Sequence, residues 1–248
     1  MSKDITTILA GWDHDPDDLQ VRIVAGDDGR DKLQMRIELG LLQMELNGRP
    51  DGQTPHGCES FLDYHEAAAA TAGDDYPLES AACADLMREG VQYYHRYLAL
   101  FHLERFDLVA RDTSRNLRLF AFIRDHAVRS RDKLQFDRYR PYVTMMRARA
   151  LGLAALERGN SAEALEWINE GIKNIRAFLR EYDQMEEEPK CSELNFLRTW
   201  RKQVERERKV DPIERLQEQL SLAVSKEDFE EAARLRDQIR RLTDPLAT

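Results

Sequence analysis

Apolar positions alternate with polar ones over residues 19–46. Leu19, Val21 and Ile23 share one face, Gly26-Asp27-Asp28-Gly29 interrupts, and Leu33, Met35, Ile37, Leu39 and Leu41 alternate again. A period of two predicts strands joined by a glycine-rich turn. The good helix formers within 31–46 support a competing helical reading, and the strict alternation favours strands. Gly40 marks a bulge or bend, with a third short strand ending near Leu46. From about Asp63 the apolar spacing lengthens to three and four, the period of helices. A short helix over 64–72 stops at Gly73. Ser80 then caps a helix carrying Tyr93, Tyr94, Tyr97, Leu98 and Phe101, and another covers 106–122. After a basic connection through Lys133, Pro141 opens a helix to Leu156, Gly159-Asn160 turns the chain, and Ser161 caps a helix to Tyr182.

This last pair has the step of a tetratricopeptide repeat, with Ala148, Leu151, Gly152, Ala155, Ala164, Ile168 and Gly171 at the small and apolar positions. An earlier pair resembles it more loosely, so 80–182 is similar to two degenerate tetratricopeptide-like pairs. Such pairs present a surface for a peptide or helix of another protein. The acidic, proline-containing stretch 183–189 reads as a linker, and 192–209 as a basic helix with Leu194, Leu197, Trp200 and Val204 on one face. The expected organisation is mainly α: an acidic segment with a β-hairpin or meander (1–63), a helical region (64–182), a linker and basic helix (183–210), and a terminal helical hairpin (211–248).

That hairpin is the most patterned stretch. Asp211, Pro212 and Glu214 form a helix start, and Ile213, Leu216, Leu220, Ala223 and Val224 step along one face. Ser225 is the expected cap of the second helix, whose apolar stripe is Phe229, Ala232, Ala233, Ile239 and Leu242. Two short helices cannot bury such a face alone, because chains below about 40 residues usually need a metal, disulfides or a partner. The pattern Phe229-Glu230-x-Ala232-Ala233-x-Leu235-Arg236-Asp237-x-Ile239 resembles the UVR motif of the bacterial repair proteins UvrB and UvrC, also found in ClpC-type ATPases and their adaptors. The resemblance implies a protein–protein docking module, with Phe229, Ala232, Ala233, Leu235 and Ile239 against the partner and Arg236 and Asp237 setting register. The chain has no P-loop, is too short for the nuclease halves of UvrC, and lacks paired-cysteine zinc sites, so the likeness is confined to the hairpin.

Composition narrows the function classes. A net charge of −9 over 248 residues argues against wholesale binding to nucleic acid or anionic membrane. No apolar run approaches the ~20 residues of a spanning helix, and the N-terminus lacks a signal-peptide core. Three separated cysteines (Cys58, Cys83, Cys191) suit a reducing cytoplasm. The charge is uneven: residues 1–104 hold 8 Lys and Arg against 20 Asp and Glu, whereas 105–149 hold 12 against 5. Within this basic island Arg111, Arg115, Arg118, Arg124, Arg129 and Arg131, near Phe120 and Phe122, are candidate nucleic-acid contacts. The competing reading pairs them with the acidic N-terminal third, and it is favoured because that third more than matches the island.

Candidate chemistry is sparse. The 26–32 segment has the wrong glycine spacing for a P-loop, and its aspartates would repel a phosphate. The acidic run 13–18 reads as a solvated lead-in anchored by Trp12. His95 and His102, seven apart on one helix, could share a metal, and Asp63-x-His65-Glu66 is a similar loose cluster. Both read more simply as packed or solvated side chains. No catalytic site, cofactor or metal is expected. The sequence is read as a non-enzymatic adaptor or scaffold whose partner is a protein with a UVR-like hairpin or amphipathic helix, or a second copy of itself. The alternative is an accessory factor of nucleotide excision repair that contacts DNA through the basic island; an enzyme using His95 and His102 ranks third.

Overall fold

The computed structural model describes residues 4–73, 76–208, 212–226 and 228–243. The alternating segment forms three antiparallel strands in the order β1-β2-β3: β1 (Val21–Ala25), β2 (Asp31–Ile37) and β3 (Gly40–Glu45). Val21 lies opposite Met35, and Leu33 opposite Met44. Leu33 and Met35 are buried, as alternation predicts, but so are the polar Lys32 and Gln34, and Ile37 is 39% exposed; Met44 of β3 is buried as well. Leu39 departs from the alternation: it sits between β2 and β3 and is 90% exposed, because the turn takes it off the pleat. The lead-in is solvated along its acidic run, where Asp13, Asp15, Asp17 and Asp18 are exposed. It forms a short helix, α1 (Thr6–Leu9), and folds onto the sheet, with the Arg22 guanidinium 3.9 Å from the Trp12 ring and Arg36 Nε donating to the Trp12 carbonyl.

The helical region begins with α2 (Phe61–Ala72). Ser60 caps it by accepting from the Asp63 amide. Four helices follow: α3 (Ser80–His102), α4 (Phe106–His126), α5 (Ser130–Asp137) and α6 (Arg140–Glu157). Then come α7 (Ser161–Glu181) and α8 (Ser192–Glu207). The basic connection expected through Lys133 thus contains a helix, α5, whose Phe136 enters the core with Leu62, Leu86, Leu119, Ile123 and Val143. Neither Ser80 nor Ser161 is a cap. The Ser80 hydroxyl donates to Asp132 on α5, and Asn160 caps α7 by accepting from the Glu163 amide. The expected linker contains a 3-10 helix (Met185–Lys190), held where Glu188 pairs with Arg176 and Arg198.

The helices pair α3 with α4 and α6 with α7, and α4 also packs on α6. Small residues bring them close. A Cβ at Gly171 on α7 would meet the Ala148 Cβ at 2.8 Å, and one at Gly152 on α6 would meet the Trp200 ring of α8 at 2.6 Å. The tetratricopeptide likeness remains an expectation from sequence. By backbone packing the chain divides into two units, Met1–Gln203 and Val204–Thr248. No helix among the described residues is long and apolar enough to cross a membrane.

Buried ions hold the sheet to the helices in the first unit. Arg96 is 1% exposed and binds Asp112 through two hydrogen bonds, of 2.6 and 2.8 Å. Its Nη1 donates to the carbonyls of Glu45, the last residue of β3, and of Gly48 just after it. Glu89, fully buried, accepts from the Phe61 and Leu62 amides at the start of α2 and pairs with Arg115 of α4. A carboxylate at a helix N-terminus is favoured by the orphan amides and the helix dipole.

Candidate functional site

The C-terminal unit is built around two helices, α9 (Pro212–Ser225) and α10 (Phe229–Thr243), packed on each other. Ser225 does not cap α10; it is the last residue of α9, and its hydroxyl donates to the Leu222 carbonyl. The cap is Asp228, whose carboxylate accepts from the Glu231 amide at 3.1 Å and whose own amide donates to the Ala223 carbonyl at 2.9 Å. Asp211, the expected cap of α9, lies outside the described residues.

Burial sorts the expected docking residues into two sets. Ala232 and Leu235 are buried, and with Ala223 they form the centre of the hairpin, flanked by Leu216 and Leu220. They are therefore structural residues of the hairpin and do not belong to its outer surface. Phe229 is 70% exposed, Ala233 is exposed and Ile239 is half-buried. Arg236 pairs with its neighbour Asp237 at 3.0 Å, and both are exposed. Phe229, Ala233 and Arg236 are spaced i, i+4, i+7, so they follow one stripe of α10. That stripe lies about 120° around the helix from Leu235, at ~100° per residue. The expectation that Phe229, Leu235 and Ile239 share one face is thus corrected: the inner face holds Leu235 and the outer one Phe229. Val224 was placed on the inner stripe of α9 and is instead 52% exposed, as is Leu222 at 55%. Leu222 was missed in the sequence because Leu216, Leu220 and Ala223 already complete the stripe.

The basic island is distributed differently. Arg111 donates to Asp112, Asn47 and the Leu46 carbonyl. Arg115 is buried against Glu89, and Arg118 pairs with Asp63 and Glu66 of α2. Arg124 pairs with Asp125 on its own helix. Arg129 and Arg131 are exposed around the start of α5. Buried arginine loses hydration, which holds the Arg115 guanidinium down to about 9.

The remaining candidates separate. His65 turns inward to the Tyr76 hydroxyl at 2.7 Å, while Asp63 and Glu66 face Arg118. His95 is half-buried and His102 exposed. No group of three or more His, Cys, Asp or Glu side chains among the described residues is placed to hold a metal ion.

The C-terminal unit is thus a capped two-helix hairpin with an apolar core and a largely exposed Phe229. Residues 211–243 match the family model described as the UvrB/uvrC motif, and the chain therefore carries a UVR motif in this hairpin. No curated protein matches the chain, and no solved structure does.

Proposed function

We propose that this protein is a non-enzymatic adaptor that docks a partner protein through the outer stripe of α10. The observation that carries the reading is Phe229: a phenylalanine 70% exposed on the hairpin that matches the UVR motif. Burying a phenylalanine side chain contributes about 1.5–3 kcal/mol, and the hairpin leaves most of that for a partner. Ala233 lets a facing helix approach closely, and Arg236 with Asp237 supplies a polar edge that selects register. The partner is a UVR-like hairpin or an amphipathic helix, with a second copy of this chain as the self-paired case. The test compares the intact chain with Phe229→Asp in capture from native lysate, with sedimentation to detect self-association. Proteins or dimers lost only from the variant support docking; identical capture and sedimentation for both would overturn it.

A second reading, accessory DNA contact in excision repair, draws on the exposed Arg129 and Arg131. It expects salt-sensitive retention on DNA that Arg129→Glu with Arg131→Glu abolishes.

A further inference from the structure

Helices α3, α4, α5, α6 and α8 line a half-open cavity of about 580 Å³ within the first unit. That volume falls in the range of small-molecule sites, roughly 300–1,000 Å³. Its walls are largely aromatic: Tyr94 and Tyr97 from α3, Phe120 from α4, Phe136 from α5 and Tyr142 from α6. The Tyr94 ring meets Tyr97 edge-on at 5.5 Å and Tyr142 at 6.4 Å, so ring faces and edges both line the space. The docking reading of the hairpin makes no use of this cavity.

Its polar groups point to the ligand. Asn116, on the same wall, is satisfied by the Gly90 carbonyl and by Arg115. Tyr97 is not. Its side chain is 1% exposed and lines the cavity, yet its hydroxyl has no hydrogen-bond partner among the described residues. A hydroxyl left free on the cavity wall can hydrogen-bond a ligand oxygen directly. Burial keeps these rings uncharged at neutral pH: it pushes the Tyr97 and Tyr142 phenols up and the His95 imidazole down. The two charged side chains on the lining are engaged locally. Arg138 donates to the Tyr139 hydroxyl and lies over its ring, and Glu193 accepts from Ser192. An ionic ligand seated among the rings would lose hydration.

We propose that this cavity binds an uncharged planar aromatic molecule of one or two fused rings, whose ring hydroxyl or carbonyl hydrogen-bonds the Tyr97 hydroxyl. The probes are 2-naphthol and its anionic counterpart 2-naphthoate, titrated calorimetrically into the full chain. Two variants locate the site. Tyr97→Phe removes only the hydroxyl, and Val91→Trp narrows the opening from a position already 43% exposed. Thermal melting confirms that each variant is folded. The expected result is saturable binding of 2-naphthol, with 2-naphthoate at least about tenfold weaker because its charge must be desolvated. Tyr97→Phe should weaken 2-naphthol about three- to tenfold, the loss of one hydrogen bond, and Val91→Trp should abolish binding. No binding of 2-naphthol up to its solubility limit would overturn the proposal. So would equal affinity for the two probes, or affinity unchanged in both variants.

Discussion

Arg96 and His65 show what single side chains contribute in the first unit. The Arg96–Asp112 pair is 1% exposed on both sides, and the same guanidinium holds two backbone carbonyls at the end of β3 and just after it. Removing one member of such a pair costs about 3–5 kcal/mol, because the other is left charged and buried. Arg96→Met is expected at the lower end of that range by urea unfolding, since Arg111 still reaches Asp112 at 2.9 Å. Arg96→Met with Asp112→Leu should recover part of the loss. His65 makes a pH-dependent contribution. Burial holds its imidazole below the ordinary 6.5, so the unfolded chain takes up the proton first as pH falls. Stability that is full above about 6.5 is then lost progressively on acidification, until the folded imidazole is protonated as well. Burial displaces His95 in the same direction. His65→Gln should flatten the fall in urea midpoint between about pH 7 and 5; an unchanged slope would assign the effect elsewhere.

At the scale of elements, α10 carries the hairpin's buried contacts on one side and the proposed docking stripe on the other. Asp228 caps it, and Asp228→Ala should cost about 1 kcal/mol of hairpin stability, read as lost helicity in circular dichroism. Phe229→Asp, on an exposed position, should leave helicity within about 0.5 kcal/mol of the parent while removing partner binding. The hairpin was legible in the sequence because its 3.6-residue period and the Phe-x-x-Ala-Ala pattern are local signals. Which side of α10 faces inward was not, since Phe229 and Leu235 are equally apolar and only the opposing helix decides between them. The same limit explains α5: its packing rests on Phe136, and the sequence around it reads as charge. At Ser161 and Ser225 the cap falls instead to Asn160 and Asp228, whose side chains accept from helix amides, whereas α3 starts after Glu79 with no side-chain cap and Ser80 bonds Asp132.

At the scale of the first unit, charges far apart in sequence are brought together. Asp63, Glu66 and Glu89 meet Arg118 and Arg115, and the carbonyls near the end of β3 meet Arg96 and Arg111. The charge blocks made this pairing foreseeable in outline, whereas Glu89 as the shared partner of α2 and α4 was invisible to a reading that weighs blocks and not positions. A chain lacking residues 1–59 would leave Arg96 and Arg111 without their carbonyl acceptors. Losing these charge-assisted hydrogen bonds, about 1.5–3 kcal/mol each, should make that truncated form unfold at clearly lower urea, the helices included. If its midpoint matched the full chain, the sheet would be an appendage.

The contact between Gly152 and Trp200 couples positions 152 and 200. In an ordinary helix Gly→Ala is stabilising by about 1 kcal/mol, yet at position 152 the new methyl would strike the indole ring at 2.6 Å. Gly152→Ala should therefore lower the melting temperature, Trp200→Phe should relieve the clash, and the double replacement should be more stable than the two single effects predict. In any lineage descending from this chain, the two sites are bound to drift as a pair: bulk gained at one is admitted only by bulk given up at the other.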